Sequence, residues 1–225
     1  MQGMEVALKA HQLTKIFRSD GAETATLRGI SLDVQRGEFV ALMGPSGCGK
    51  STLLNILGLA ERPTSGEVVL GGESTFECSD YDLQMFRRQK LGYVFQHFNL
   101  LSTLSVRENV MVPLILNGER VDVAETRAEE VLARVGLRNR SGAMPYTLSG
   151  GEMQRVAIAR AVIHQPLIIL ADEPTGSLDS RNGAQVLELL EEQAALGIAI
   201  LMATHSEIAS RACSRTLMMR DGVLE

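Results

Sequence analysis

A glycine-rich run, Gly44–Ser51, constrains this chain more than any other feature, because it matches the phosphate-binding pattern G-x-x-x-x-G-K-[ST] in full. The run follows a short apolar strand predicted at Phe39–Met43 and precedes a predicted helix at Lys50–Ala60. In that context the glycines let successive N–H groups converge on phosphate oxygens, and the helix directs its positive end at the same anion. Chance produces the pattern in roughly one chain in a hundred of this size. We therefore predict a phosphate-binding loop, or P-loop, rather than a plain glycine-rich turn.

The lysine and serine that close the run indicate the chemistry of the ligand. Lys50 is expected to neutralise charge on the β- and γ-phosphates of a bound nucleotide, and the Ser51 hydroxyl is expected to ligate Mg²⁺. The residues predicted to contact the nucleotide in this region are Gly44, Pro45, Ser46, Gly47, Cys48, Gly49, Lys50, Ser51 and Thr52.

Two acids end a second apolar segment, Leu170–Glu173. In a parallel sheet, Asp172 would lie beside the P-loop and hold Mg²⁺, directly or through water. Glu173 could then polarise the attacking water as a general base. By itself the pair could also be a strand end that reaches solvent, and the P-loop upstream favours the catalytic interpretation.

A third motif, Leu148–Glu152, precedes a predicted helix. Ser149 suits the N-cap position, and the paired glycines expose backbone N–H groups. The motif therefore predicts a second anion-binding helix terminus. Considered alone, a capped helix after a flexible loop explains it equally well.

The rest of the pattern predicts an α/β domain. Two partly alternating segments, Val6–Phe17 and Leu27–Val34, are expected to form half-buried strands. Buried strands at Leu167–Ala171 and Ile198–Ala203 flank a predicted helix at Asn182–Ala195, which suggests a βαβ unit and a parallel sheet. Further strands are predicted at Glu67–Leu70 and Leu91–Phe95, and further helices at Asp80–Arg88, Ser105–Glu119, Asp122–Val135 and Gly150–His164.

Composition restricts the function classes. The 225 residues suit a single α/β domain, and a net charge of -5 argues against a basic nucleic-acid-binding surface. Met1–Lys9 lacks the apolar stretch of a signal peptide, and no apolar run is long enough to span a bilayer. Three widely spaced cysteines without a CxxC pair fit a reduced, cytosolic compartment. The protein could still rest against a membrane.

Taken in chain order, the motifs resemble those of ABC transporter ATP-binding cassettes. Leu148–Glu152 resembles the ABC signature motif, and Gln96 after an apolar strand resembles the Q-loop. Ser177–Asp179 resembles the D-loop, and His205 after a buried strand resembles the switch histidine. Phe17 lies where the family stacks an aromatic ring on adenine, although an aromatic residue is most often part of a core. The resemblance extends over essentially the whole chain.

The resemblance implies a P-loop NTPase fold of the α/β class, with a mostly parallel core sheet, an antiparallel β subdomain and a helical insert. Residues 1–225 are expected to form a single ATPase domain, with the helical subdomain at approximately residues 97–164. In the family, two cassettes pair head to tail, and the P-loop of one and the signature motif of the other enclose each ATP. Because this chain has each motif once, it is expected to act with a second copy of itself.

The resemblance also implies a role for each motif residue, with ATP and Mg²⁺ as cofactors. Glu173 would be the catalytic base, and His205 would contact the γ-phosphate. Gln96 would sense both Mg²⁺ and the permease, and the expected metal-contacting set is Ser51, Gln96 and Asp172. The residues expected to contact ATP held by the second copy are Ser149, Gly150 and Gly151.

Shorter strings suggest a subfamily. Asn55–Gly58, Arg62–Glu67, Tyr93–Gln96 and Asn99–Leu101 resemble the lipoprotein-releasing and macrolide-exporter cassettes. Similar strings occur in amino-acid importers, which therefore stay an alternative. The resemblance implies an integral-membrane permease as partner, docked near the apolar segment that follows Gln96. It also implies a peripheral location at the cytoplasmic face of the cell membrane.

Two rival classes fit the sequence less well. ABC ATPases that act on nucleic acid or ribosomes carry two cassettes or a long coiled coil between P-loop and signature motif. The segment from Ser51 to Leu148 is too short for such a coiled coil and shows no sustained heptads, so we expect no nucleic-acid partner. A catalytically inactive regulatory cassette is disfavoured because Glu173 and His205 are both present.

Overall fold

A computed structural model describes residues 5–19 and 22–225, and the strands within these ranges form two sheets. The strands are β1 Val6–Ser19, β2 Ala22–Gln35, β3 Phe39–Met43, β4 Ser65–Leu70, β5 Glu73–Ser74, β6 Leu91–Phe95, β7 Ile168–Asp172, β8 Ala199–Thr204, β9 Arg215–Arg220 and β10 Val223–Leu224. The helices are α1 Lys50–Leu57, α2 Asp80–Lys90, α3 Val106–Leu116, α4 Val121–Arg134, α5 Gly150–Val162, α6 Ser180–Ala195 and α7 Glu207–Arg211. Short 3₁₀ turns lie at Arg138–Arg140 and Pro145–Thr147.

The core sheet has the strand order β10-β9-β3-β8-β7-β6, and all of its pairs are parallel except β10 with β9. Successive residues of β7 alternate between two core clusters: Ile168 and Leu170 pack on one face, and Ile169 and Ala171 on the other. Both faces are therefore covered, which explains why the strands read as continuous apolar runs. The predicted βαβ unit is confirmed as β7–α6–β8.

The second sheet is antiparallel, with the order β2-β1-β4-β5. Its inward residues, among them Leu8, Leu13 and Ile30, share one apolar cluster with α1 and with one face of the core sheet. Helix α1 therefore lies between the two sheets. The half-buried alternation predicted for β1 and β2 is confirmed, because the chain alternates between this cluster and solvent.

A helical layer covers the other side of the molecule. Helices α3, α4 and α5 enclose a separate apolar cluster that includes Val110, Ala128, Leu132 and Val156. Helix α5 joins this cluster to the core sheet, because its residue Ile158 packs in the sheet's second cluster. This layer falls within the predicted insert at residues 97–164. The extent of the single domain over residues 1–225 stays a prediction.

Several predicted boundaries were wrong by a few residues, for local reasons. Helix α1 ends at Leu57 rather than Ala60, because Gly58 caps it and Leu59 adopts a left-handed φ of 59°. Helix α6 begins at Ser180, two residues early, because the Asp179 carboxylate caps it by accepting from a backbone N–H of the first turn.

The region after Thr204 carries three elements that the sequence interpretation missed: α7, β9 and β10. Helix α7 has only five residues, too few for a period to appear. The β9–β10 hairpin turns at Asp221-Gly222, a dipeptide typical of two-residue hairpin loops, and both residues have positive φ. That dipeptide was the available signal for the hairpin.

Candidate nucleotide-binding site

Four neighbouring strands of the core sheet end at one edge, and a motif follows each of them. The P-loop follows β3, His205 follows β8, Asp172 ends β7, and Gln96 follows β6. The parallel register places these strand ends level with one another. Ligands of open α/β sheets bind at such carboxyl ends. Here the edge borders a cleft of about 660 Å³. The cleft is lined by Thr26, Gly44, Pro45, Ser46, Gly47, Gly49, Lys50, Ser51, Thr52, Gln96, Asp172, Glu173 and His205.

The P-loop wraps around the N-terminus of α1. Gly49, the N-cap residue, has a left-handed φ of 109°, and no side chain caps the helix. At Gly44 an added Cβ would clash with the Met219 carbonyl of β9, so only glycine fits there. The first N–H groups of α1 are thus left without an intrahelical or capping partner at the cleft, as an anion site requires.

The Lys50 side chain of the P-loop lines the cleft, whereas the Cys48 side chain does not, although Cys48 Sγ lies 4.0 Å from Lys50 Nζ. The Lys50 Nζ donates to the carbonyl oxygens of Gly44 at 2.7 Å and Pro45 at 3.0 Å, across the cleft side of the loop. Cys48 is buried behind the loop, and its side chain does not line the cleft. Any nucleotide contact of Cys48 would therefore be made by its backbone.

Asp172 lies across the cleft from α1. Strand β8 separates β7 from β3, so Asp172 is two strands from the P-loop strand rather than on the adjacent one. Burial is the largest effect on the Asp172 carboxyl and raises its pKa above the usual range; the Glu173 charge also raises it, and a hydrogen bond with Ser51 and the charge of Lys50 only partly offset the shift. Ser51 and Asp172 therefore meet in the cleft, with an oxygen from each facing the same space.

Glu173 adopts a left-handed φ of 48°, which is uncommon for a residue with a side chain. Its N–H donates to Ala203 O at 3.0 Å, which holds this turn against β8. Its carboxylate contacts His205 Nδ1 at 2.7 Å and the Thr204 hydroxyl at 3.5 Å. Both partners come from the end of β8, so the turn aims the carboxylate into the cleft along a defined direction.

Gln96 lines the cleft immediately after β6. The turn that follows Glu173 packs directly against it: a Cβ on Gly176 would lie 3.0 Å from Gln96 Nε2. Gln96 and the acidic end of β7 therefore face the same cleft.

The Leu148–Glu152 motif forms the N-terminus of α5 and lies outside the cleft. Ser149 caps the helix, because its Oγ accepts from Glu152 N at 3.3 Å while Glu152 Oε2 accepts from Ser149 N at 2.8 Å. Ser149 is exposed, whereas Gly151 is buried against Asn182 of α6, where a Cβ would clash. Within one chain, this helix terminus and the P-loop do not share a cleft.

Phe17 lies on β1 and does not line the cleft. It pairs with Thr24 of β2, two residues from Thr26, whose carbonyl approaches the P-loop at Gly49. Its ring is 41% exposed, and Lys15 Nζ lies 5.0 Å from the ring centroid. A partly exposed ring beside the P-loop can accept a flat ligand, unlike a core aromatic residue.

The sequence and structure of this chain are similar to those of known proteins. Residues 27–176 match the family described as ABC transporter, which is more than half of the chain. The chain belongs to the ABC transporter family. It is 45% identical over 215 residues to the uncharacterized ABC transporter ATP-binding protein MJ1508 of Methanocaldococcus jannaschii, covering 96% of each chain.

Other ABC relatives carry more specific names. The lipoprotein-releasing system ATP-binding protein LolD 1 of Rhodopseudomonas palustris is 46% identical, with 89% of each chain covered. The macrolide export ATP-binding/permease protein MacB of Wolinella succinogenes is 46% identical over 99% of this chain, which spans about a third (34%) of that relative's length. A solved structure described as a dimeric bacterial ABC transporter cassette, MJ0796, is 39% identical with a TM-score of 0.89, and 97% of this chain and 96% of that chain are covered.

Two residues in or behind the cleft were missed from the sequence. Thr26 lines the cleft from β2, and nothing in the local pattern distinguishes it from other strand threonines. Gln154 is fully buried on α5, between the Gln96 turn and the Glu173 turn. A buried glutamine inside an otherwise apolar helix face was the available signal for this position.

Proposed function

We propose that this chain is the ATP-hydrolysing subunit of an ABC transporter and works as a head-to-tail dimer. The proposal rests on the separation between the N-termini of α1 and α5, the two helix termini predicted to bind anions. The cleft collects Lys50, Ser51 and Glu173, while Ser149 lies exposed at a terminus outside it. A second copy, turned head to tail, would bring its own Ser149 to the open side of the cleft. The solved cassette MJ0796 is described as dimeric, which supports the same arrangement here.

In the proposed site, α1 and its loop bind the phosphates of ATP. The unpaired N–H groups at the start of α1 face the anion, and Lys50 exchanges its two loop carbonyls for the β- and γ-phosphate oxygens. Phe17 would stack on the adenine from the partly exposed end of β1.

The residues at the cleft fit an ion such as Mg²⁺, which binds few protein groups, better than a metal whose ligands all come from the protein. In residues 5–19 and 22–225, no cluster of three or more His, Cys, Asp or Glu side chains is placed to hold a metal. Mg²⁺ instead takes one or two protein oxygens and completes its shell with phosphates and water. Ser51 and Asp172 would supply those oxygens, with Gln96 beside them. When bound, Mg²⁺ would neutralise charge on the transferred phosphoryl group.

Hydrolysis is assigned to the Glu173 turn. The Glu173 carboxylate would accept a proton from the water that attacks the γ-phosphorus, as the bond to the ADP oxygen breaks. His205 Nδ1 orients that carboxylate at 2.7 Å, and the exposed imidazole is positioned to contact the γ-phosphate. A related structure described as a post-hydrolysis state with ADP and phosphate supports this chemistry for the family.

A separate membrane permease is the proposed partner. No helix in the described ranges, 5–19 and 22–225, has the length and apolarity to cross a bilayer. Resemblance to LolD and MacB supports a permease of the lipoprotein-releasing or macrolide-export type, with this chain at the cytoplasmic face of the membrane.

The proposed docking groove lies between α2, β6, α3 and α5, and has a volume of about 320 Å³. Its apolar lining includes Val112, Pro113 and Leu116 of α3. Three arginines line it, and none of them pairs with a carboxylate in the part of the chain that the structure describes: Arg87, Arg88 and Arg160. A permease helix with an apolar face and an acidic residue would complement this groove.

The hydrolytic assignment is tested by Glu173→Gln, which keeps the side chain's shape and removes the base. We expect ATP hydrolysis to fall by about 10²–10⁴-fold, the usual contribution of a general base. ATP should still bind, and the variant should elute as a dimer in ATP but not without nucleotide. Near-native turnover would remove the base assignment, and a variant that stays monomeric with ATP would remove the dimer.

Docking next to this groove is tested by Leu101→Glu, two residues beyond Asn99 of the groove lining. The Leu101 side chain is exposed beyond the Q-loop, so the change should spare folding and basal ATPase activity. We expect loss of co-purification with the permease and of transport-linked stimulation. Leu196→Glu, at another exposed leucine after α6, is the matched control and should leave both intact. Charged variants across Asn99–Val106 that assembled and transported normally would place docking elsewhere.

A further inference from the structure

Gln154 is a fully buried amide that joins two functional turns to one helix. Its Nε2 donates to Phe95 O at 3.2 Å and to Pro174 O at 2.7 Å. Phe95 immediately precedes Gln96, and Pro174 immediately follows Glu173. One side chain of α5 therefore holds the backbone beside each of these two residues.

The two turns that Gln154 holds are themselves in contact. Phe95 and Asp172 are register partners at the ends of β6 and β7. Beyond them, Gly176 packs against the Gln96 side chain, and the Gly176 N–H donates to Glu173 O at 3.0 Å. A shift of either turn would therefore displace the other, and Gln154 lies at their junction.

The same helix begins at the exposed Ser149 cap. Ser149 and Gln154 are five residues apart, which is about 7.5 Å along a helix axis. Further along α5, Arg160 donates to Phe98 O at 2.8 Å and Asn99 O at 2.6 Å. Phe98 and Asn99 both have left-handed φ, at 61° and 48°, so this turn depends on such bonds to keep its shape. Helix α5 therefore holds the Gln96 turn by hydrogen bonds before Gln96, from Gln154, and after it, from Arg160.

We propose that Gln154 is a positioning residue that transmits the docking of a partner's nucleotide at Ser149 to the Glu173 carboxylate and to Gln96. The inference rests on the proposed function, because it requires that Ser149 serves the ATP of a second copy. A rigid helix that is displaced at its N-terminus carries Gln154 with it. The two carbonyls that Gln154 binds then shift the base and the Q-loop together.

An amide donor suits this task for a chemical reason. A terminal NH₂ has two hydrogens and can serve two carbonyl oxygens at once. Every hydrogen bond that the Gln154 side chain makes in the described residues goes to these two turns, and its buried Oε1 accepts none there. A methionine of similar length would fill the same space and donate to neither carbonyl.

The test compares Gln154→Met and Gln154→Asn with the native chain. We expect kcat to fall by about 10- to 100-fold in Gln154→Met, the size of effect that a small misplacement of catalytic groups produces. Gln154→Asn keeps the donor on a shorter arm and should be intermediate. The KM for ATP and the nucleotide affinity of the single chain should stay nearly unchanged, because Gln154 does not line the nucleotide cleft.

Arg155→Met is the matched control on the same helix. Arg155 donates to Gln185 of α6 at 3.0 Å and makes no side-chain hydrogen bond to either functional turn within the described residues, so its loss should leave kcat near native. Native kcat in Gln154→Met would overturn the inference, as would an equal fall in Arg155→Met. A loss of nucleotide affinity parallel to the loss of kcat in both Gln154 variants would also overturn it, because general loosening would then explain the result.

A double variant separates this inference from the proposed function. Glu173→Gln combined with Gln154→Met should still form the ATP-dependent dimer, since the Ser149 contact does not need Gln154. If Glu173→Gln alone fails to dimerise, the proposed function fails. If it dimerises but the double variant does not, Gln154 acts on assembly rather than on positioning, and only the inference fails.

Discussion

The N-termini of α1 and α5 are both expected to bind phosphate, yet they are built in opposite ways. Helix α1 follows the N-cap residue Gly49, has no side-chain cap and has no acidic residue in its first turn. Helix α5 is capped by Ser149 and carries Glu152 in a reciprocal capping box. The first terminus is open toward its own cleft, whereas the second is satisfied by its own side chains and faces solvent. The proposed function requires such a difference: a resident binding site at α1 and, at α5, a surface that engages only a partner's ligand.

The charges at the two termini also differ: a basic residue begins α1, and an acidic residue lies in the first turn of α5. Lys50 lies at the start of α1. At α5, hydrogen bonding from the Ser149 N–H is the largest effect that lowers the pKa of Glu152, and Arg140 lies 3.2 Å from that carboxylate. Glu152 is therefore ionised at neutral pH and is partly offset by Arg140. We therefore expect the terminus of α5 to be the weaker anion site of the two.

The largest expected contrast is between Lys50→Ala and Ser149→Ala. Loss of Lys50 removes a charge-assisted contact, which should weaken nucleotide binding to the single chain by about 10- to 100-fold. Ser149→Ala should leave that affinity nearly intact and yet cripple hydrolysis, because Ser149 serves the partner's ATP. Calorimetric titration of each variant with a non-hydrolysable nucleotide measures the contrast. Equal loss of affinity in both would break the comparison.

Mixing the two variants sharpens the same contrast. In a head-to-tail heterodimer both lesions fall on one composite site, and the other site keeps an intact Lys50 and Ser149. If a single intact site can turn over, mixed samples should recover hydrolysis that neither homodimer has. Recovery that rises with the heterodimer fraction is the expected signature, measured by ATPase assay across mixing ratios.

A smaller contrast concerns stability. Ser149→Ala should lower the free energy of unfolding by about 1 kcal/mol, the usual value of an N-cap. Ser79→Ala is the matched control, because Ser79 and Asp82 form the same capping box at the start of α2, away from the cleft. Denaturant unfolding should give similar losses for both, while only Ser149→Ala loses hydrolysis. A comparable hydrolysis defect in Ser79→Ala would trace the effect to stability alone.

The smallest expected effect comes from Glu152→Gln, which preserves the capping box and removes its charge. Because folding lowers the pKa of Glu152, its stabilisation is present above the ordinary glutamate pKa and is lost as the pH falls through the lowered value. Between about pH 5 and pH 3, the native chain should therefore lose stability more steeply than the variant, by less than about 1 kcal/mol. Thermal unfolding at several pH values measures it, and parallel curves would contradict the assignment. Hydrolysis should be unaffected.

Sequence reasoning succeeded where the governing physics is local. The P-loop strand–loop–helix and the apolar strands at Ile168–Asp172 and Ala199–Thr204 follow from short patterns, and so does the Ser149 cap. Gln154 could not be predicted in the same way, because its two acceptors lie 59 and 20 residues away along the chain. Thr26 reaches the cleft only because the antiparallel sheet is laid over α1. Their roles depend on how the layers assemble.

The β9–β10 hairpin contacts the P-loop at Cys48 and Gly44. The Gly222 N–H donates to Cys48 O, and the Met219 carbonyl occupies the space where Gly44 would carry a side chain. During synthesis on the ribosome, the loop emerges roughly 170 residues before this hairpin does, a separation that makes the contact strongly non-local. A nascent cassette should therefore be unable to hold nucleotide until residues 219–222 have left the exit tunnel. ATP binding would then report that the chain behind the loop has been made and folded.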